Sequence, residues 1–211
     1  MKKTDFSLYA IIDLDYLKAV GKDYKKSVVS VLRGGATIIQ LRSKNAEDRE
    51  FLDAALYVKK KSRTFKIPFV INDRVDVAYC VDADGVHIGA CDMPLFEARK
   101  IMKKGKIIGL SAANEKEALA ADKKKIDYIG LGPVFKTVIK NTKPFGVGKL
   151  KRLLKKLKKD VVAIGGIKEG NIESLKKAGV KNFAIISDIL SAENIYEKTK
   201  RIKNIIKKND K

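Results

Sequence analysis

Ile38-Ile39-Gln40-Leu41-Arg42-Ser43-Lys44 begins as a buried strand and ends in long polar side chains. Side chains of an extended segment alternate faces, so Gln40 and Arg42 share one face, and Lys44 continues it while the chain stays extended. An amide, a guanidinium and an ammonium on one side of a strand end form a donor-rich cationic pocket. Arg grips phosphate oxygens with a planar fork and Lys adds a point charge, so the pattern points to an anionic phosphoester ligand. The competing reading is a set of surface charges at a strand's exit, and the rest of the chain has to decide between them.

Strand-like apolar runs recur on both sides of this segment, at Leu8–Ile12, Ala36–Leu41, Pro68–Ile71, Gly85–Ile88, Ile107–Leu110, Tyr128–Leu131, Val161–Ile164 and Asn182–Ile186. Helix-period segments lie between them. Glu47–Lys61 carries Phe51, Leu52, Ala55 and Val58 on one stripe, and Lys149–Lys159 carries Leu150, Leu153, Leu154 and Leu157 at i, i+3, i+4 and i+7. Glu115–Ala121 is entered through Asn114, a capping residue, with Glu117 reaching back three residues later. Gly34-Gly35, Gly105 and Gly179 fall where left-handed residues end helices. Strands alternating with helices argue for parallel pairing, and their number predicts a (β/α)8 TIM barrel, a single α/β domain over residues 1–211. A doubly wound open sheet is the alternative, but no glycine-rich turn follows Leu8–Ile12.

The formal charge is +21, and most of it is lysine spread over the polar faces of the amphipathic segments. A nucleic-acid partner would call for a basic patch or a binding motif, and no such motif is present. No stretch is apolar enough to span a bilayer. Asp5, Asp13 and Asp15 interrupt the apolar run that a signal peptide would need after Met1-Lys2-Lys3. A cytoplasmic protein with no membrane partner and no specific nucleic-acid partner is expected. Cys80 and Cys91 do not form a CxxC pair and are read as reduced thiols.

A barrel puts its chemistry at the C-terminal ends of its strands. The candidate polar residues fall there: Gln40, Arg42 and Lys44 after the second strand, Asn72 and Asp73 after the third, and Asp92 after the fourth. Ser111 ends the fifth, Thr137 and Lys140 lie in the loop after the sixth, Gly165-Gly166 follows the seventh, and Ile186-Ser187 the eighth. Asp73 and Asp92 are hard oxygen donors from consecutive strand ends, suited to Mg²⁺ shared with a substrate's phosphates. Capping the next helix is the other reading for each. Gly166 and Ser187 match the phosphate site that barrels build after their last two strands. The only histidine is His87, no G-x-S-x-G elbow exists, and a serine nucleophile is therefore not expected.

Taken in order, these segments resemble the thiamine phosphate synthase family. The matching segments are Gln40-Leu41-Arg42-Ser43-Lys44, Ile71-Asn72-Asp73, Ala83-Asp84-Gly85-Val86-His87-Ile88-Gly89 with Asp92, and Gly109-Leu110-Ser111. Tyr128-Ile129-Gly130-Leu131-Gly132-Pro133-Val134-Phe135, Thr137 to Lys140, Ala163-Ile164-Gly165-Gly166-Ile167 and Ile186-Ser187 continue the match. The resemblance implies a transferase of thiamine biosynthesis acting on small phosphorylated substrates with Mg²⁺. It joins a hydroxymethylpyrimidine diphosphate to a thiazole phosphate by a dissociative route, with pyrophosphate leaving first.

On that likeness Arg42, Lys44, Ser111 and Lys140 serve the reaction. Gln40, Leu41, Arg42, Ser43, Lys44, Asn72, Ser111 and Lys140 hold the pyrimidine diphosphate, and Asp73 and Asp92 hold the metal. Thr137, Val138, Ile139, Gly166, Ile186 and Ser187 hold the thiazole phosphate. Ile139 stands where the family usually has a hydroxyl, and Ala113 where the synthase commonly has His. A thiazole tautomerase or a non-catalytic relative is the alternative, although Ala113 removes a histidine that the tautomerases use nearby. The family is often dimeric, which leaves a homodimer open.

Overall fold

A computed structural model describes residues 4–137, 139 and 143–208. Eight parallel strands close into a barrel in sequence order, with the last pairing back onto the first. They are β1 (Leu8–Asp13), β2 (Ile38–Arg42), β3 (Phe69–Asn72), β4 (Gly85–Ile88), β5 (Ile107–Ala112), β6 (Tyr128–Leu131), β7 (Asp160–Ile164) and β8 (Asn182–Ile185). The helices are α1 (Leu14–Ala19), α2 (Tyr24–Arg33), α3 (Asp48–Phe65), α4 (Val75–Cys80), α5 (Leu95–Ile101), α6 (Glu115–Asp122), α7 (Val147–Leu154), α8 (Ile172–Lys177), α9 (Ser187–Leu190) and α10 (Ile195–Lys207).

Both faces of a barrel strand are covered, one by the interior and one by the helices, which is why these strands read as continuous apolar runs. Leu8, Ala10 and Ile12 face the helices, while Tyr9 and Ile11 on the same strand face inward and line the interior cavity. The registers Ile11↔Gln40, Asn72↔His87, His87↔Gly109, Gly109↔Tyr128 and Tyr9↔Ala184 carry this inward parity around the barrel. Near its floor, Phe6 packs 4.8 Å from the Tyr128 ring. Asp84 and Asp127, each just before a strand, accept amides near the start of the preceding strands, Phe69 N–H and Ile108 N–H, both at 2.8 Å.

Several helix expectations change in detail. The lysine-rich segment after β6 is helical only over Val147–Leu154, so Leu157 lies beyond its end, although Leu150 and Leu153 are buried as expected. Lys59-Lys60-Lys61 lies within α3, and Lys59 pairs with Asp84 at 3.1 Å. Asn114 caps α6 by accepting the Glu117 amide, but the Glu117 carboxylate accepts the Ala113 amide and the Asn114 side-chain amide. Gly35, Gly105 and Gly179 have positive φ as expected; Gly34 does not. Its missing side chain serves helix packing, since a Cβ there would press into Thr199 of α10. No helix among the described residues is long and apolar enough to cross a membrane.

Candidate active site

A cavity of about 340 Å³ opens at the C-terminal end of the barrel. Its walls include Gln40, Arg42, Lys44, Asn72, Asp73 and Asp92. Ser111, Thr137, Ile139, Gly166, Ile186 and Ser187 complete the set of expected residues that line it. Side chains scattered from position 40 to 187 therefore share one opening, as a closed barrel of parallel strands requires.

The cationic end of β2 is held by two acids, Asp13 at the end of β1 and Asp15 in the first turn of α1. The register places Asp13 opposite Arg42, and the two form an ion pair with only 2% of the Asp13 side chain exposed and 12% of the Arg42 side chain. Asp13 also caps α1, accepting the Tyr16 amide at 3.0 Å. Two residues on, Asp15 accepts the Ser43 hydroxyl at 2.7 Å and the Lys44 amide at 2.6 Å. Burial pushes Asp15 up, but the Lys44 amide, the Ser43 hydroxyl and the Arg42 charge outweigh it and hold the carboxyl below its ordinary value.

Two members of the expected diphosphate-binding set do not line the cavity. Leu41 is fully buried and belongs to the opposite parity from Gln40 and Arg42, so it faces the helix layer. Ser43 is turned to Asp15 and accepts the Ala46 amide at 2.9 Å, which shapes the turn into α3. Val138 and Lys140 lie outside the described residues.

Asp73 does not cap α4. That position belongs to Arg74, and the Asp73 carboxylate pairs with Lys44 and shares a hydrogen bond with Asp92. Its backbone is left-handed at φ 61°, a conformation in which Asp is several-fold enriched among non-glycine residues. Asp92 folds back to accept the Gly89 amide at 2.7 Å. Burial and the adjoining Asp92 raise Asp73 above the ordinary carboxylate value, with Lys44 opposing. Burial also pushes on Asp92, but its hydrogen bonds with Asp73 and the Gly89 amide and the Lys44 charge bring it below that value.

Among the described residues Lys44 is the ammonium that pairs with these two adjoining carboxylates, which leaves them short of positive charge. Their hard oxygens fit a divalent ion such as Mg²⁺. Among the described residues no group of three His, Cys, Asp or Glu is assembled, so substrate oxygens and water would have to complete the shell.

The cavity also has a polar floor built from side chains of several strands. Gln40 Nε2 donates to the Tyr9 hydroxyl at 2.8 Å, and that hydroxyl lies 2.8 Å from the Tyr128 hydroxyl. Tyr128 lies 3.0 Å from His87 Nδ1, and His87 Nε2 lies 2.8 Å from Ser111 Oγ. Two inward-facing glycines make room for it. A Cβ on Gly109 would fall against the Tyr128 ring, and one on Gly130 would lie 2.8 Å from His87 Cε1.

At the opposite wall, Gly165 and Gly166 have φ of 93° and 65°. Gly166 packs so closely on the backbone of Lys136 and Phe135 that a Cβ would collide with both. These glycines lead into a loop and a 3-10 turn, Glu169–Asn171, before α8, so they do not open that helix directly. Ser187 starts the short helix α9. Asp188 on α9 accepts the Glu169 amide at 2.8 Å, and Lys198 of α10 bridges Glu169 and Asp188 at 3.0 Å each. The two glycine- and serine-bearing segments are thereby tied together from outside the cavity.

A family model described as thiamine monophosphate synthase matches residues 8–189. The chain is 41% identical over 210 residues to the thiamine-phosphate synthase of Clostridium acetobutylicum, with 99% of each chain covered. To the thiamine-phosphate synthase of Persephonella marina it is 42% identical over 207 residues, covering 98% of each. Among solved structures, thiamine phosphate pyrophosphorylase from Pyrococcus furiosus superposes with a TM-score of 0.88 at 38% identity, over 97% of this chain and 96% of that one.

Proposed function

The chain belongs to the thiamine monophosphate synthase family, and we propose that it joins a hydroxymethylpyrimidine diphosphate to a thiazole phosphate, releasing thiamine phosphate and pyrophosphate. The observation that carries the reading is the shared opening. Arg42, Lys44, Asp73 and Asp92 line the same cavity as Gly166 and Ser187, so a diphosphate and a second phosphate can be held around one space.

Arg42 and Lys44 bind the diphosphate and offset the negative charge that grows on it as its bond to the pyrimidine methylene breaks. Asn72 adds a neutral hydrogen bond on the same side. Asp73 and Asp92 would hold Mg²⁺, which when bound supplies further positive charge to the departing pyrophosphate. Gly166, Ile186 and Ser187 hold the thiazole phosphate, with Thr137 and Ile139 beside them, and orient the thiazole nitrogen toward the methylene carbon. The electron pair of the broken C–O bond leaves with pyrophosphate, and the thiazole nitrogen pair forms the new C–N bond. No protein nucleophile is needed, and the protein's work is orientation and charge stabilisation. The roles of Lys140 and Val138 rest on family likeness alone.

The tautomerase alternative is not favoured, because Ala113 presents a methyl group to the cavity where a titrating side chain would be required. The exposed, unbridged Cys80 and Cys91 suit a reducing compartment, and we retain the cytoplasm as the site of action. A homodimer is carried by the family likeness only. Incubating the purified protein with both substrates, with Mg²⁺ and then with a chelator, tests the reading. Thiamine phosphate formed only with the metal is expected, and none formed under either condition ends the proposal.

A further inference from the structure

The polar floor of the cavity has a direction. Each phenol has one proton to donate, and a neutral imidazole has one nitrogen that donates and one that accepts. Gln40 donates to the Tyr9 oxygen, so the Tyr9 proton goes to Tyr128, its other partner at 2.8 Å. The Tyr128 proton then goes to His87 Nδ1. His87 in turn carries its own proton on Nε2 and donates it to Ser111. The Ser111 hydrogen is left to point into the cavity, and the Gln40 carbonyl oxygen is left as that residue's acceptor.

Reversing any one link reverses all of them, because Tyr9 and Tyr128 are both buried, at 1% exposure, and bonded to each other. Burial pushes both phenols above the ordinary tyrosine value, which keeps them neutral donors.

We propose that Tyr9 and Tyr128 are positioning residues that transmit a one-way run of hydrogen bonds from Gln40 to Ser111, fixing Ser111 as a donor and Gln40 as an acceptor toward the cavity. Resting on the synthase reading, this polarity selects a ligand edge that pairs a donor with an acceptor, as the exocyclic amine and ring nitrogen of an aminopyrimidine do. An oxo-pyrimidine edge presents the reverse pattern and is rejected. Gly109 and Gly130 belong to the same device, since they admit the Tyr128 and His87 rings into the interior.

His87 is the only histidine in the chain, so a long-range proton–nitrogen spectrum of the ligand-free, nitrogen-15-labelled protein reports its tautomer without assignment work. At pH 8 the wild type is expected to show the proton on Nε2, with that preference lost in Tyr128→Phe. A wild-type spectrum with the proton on Nδ1 overturns the proposal.

In steady-state kinetics Tyr9→Phe and Tyr128→Phe should each raise KM for the pyrimidine diphosphate about fivefold to tenfold, the effect of one neutral hydrogen bond. KM for the thiazole phosphate should stay within about twofold. Equal changes in both constants would mean that the tyrosines only support the fold, and would also overturn it. If the wild type makes no thiamine phosphate, the synthase reading fails while the tautomer measurement still decides the direction of the run.

Discussion

Gly109→Ala is a one-methyl change that should cost as much stability as emptying a large side chain from the same core. Its Cβ would land against the Tyr128 ring, inside the 3.0 Å that Cβ atoms essentially never cross. The ring has no space to retreat into: Tyr128 is 1% exposed, Phe6 lies 4.8 Å away, and its hydroxyl is bonded to Tyr9 and His87. Overpacking of this kind costs about 1–3 kcal/mol, and the upper end applies where the neighbour cannot yield. Pulling the hydroxyl off its two partners adds about 1 kcal/mol for each bond. We expect Gly109→Ala to lose about 4 kcal/mol, a large part of the roughly 5–15 kcal/mol that a domain has.

Urea unfolding at pH 7 measures the loss, and a double-mutant cycle assigns it. Tyr128→Ala removes the obstacle, so adding Gly109→Ala to it should cost less than about 1 kcal/mol further. Strict additivity of the two substitutions, or a Gly109→Ala protein within about 0.5 kcal/mol of wild type, would refute the claim that this glycine exists to admit the tyrosine.

Asp13→Asn keeps an acceptor for the Tyr16 amide but removes the charge facing the largely buried Arg42. Unfolding should show a loss of about 2–4 kcal/mol, and titration with inorganic pyrophosphate and Mg²⁺ should show weaker binding; unchanged values for both would remove Asp13 as the anchor of Arg42. Asp92→Ala should lower Mg²⁺-dependent turnover about a hundredfold while leaving KM for the thiazole phosphate within about threefold. Equal effects on both would refute the metal assignment.

Burial works against the Glu169 carboxylate, but Lys198 and Arg201 hold it below its ordinary value, so its stabilising effect is present near neutrality and is lost as pH falls through its lowered folded value. Glu169→Gln should therefore be less stable than wild type at pH 7, and the difference should shrink as the pH is lowered into the acid range. A difference that does not change with pH would contradict the linkage.

The sequence made the barrel legible because its signals are local and repeated. Each strand is a short apolar run, and the inward parity of Gln40, Arg42, Asn72 and Ser111 follows from a period of two. The same rule, applied strictly, excludes Leu41, which entered the ligand set only through the family likeness. Ser43 entered the same way, and its hydroxyl turns to Asp15 in the first turn of α1.

What could not be read were the partnerships between strands. Asp13 and Asp15 registered only as interruptions of an apolar segment, because their value depends on β1 lying beside β2 in a particular register. Tyr9 and Tyr128 looked like ordinary strand aromatics, and nothing local says that residues 119 positions apart share a hydrogen bond. One signal was available in retrospect. Gly85, Gly109 and Gly130 each fall at an inward position of a β strand, where glycine costs stability unless something must approach closely. Three such gaps on consecutive strands imply that large side chains from other strands fill the interior there, and the rings of Tyr128 and His87 fill two of them. The floor that orients the site was thus written in the sequence as missing side chains, and only the closed barrel identifies what fills them.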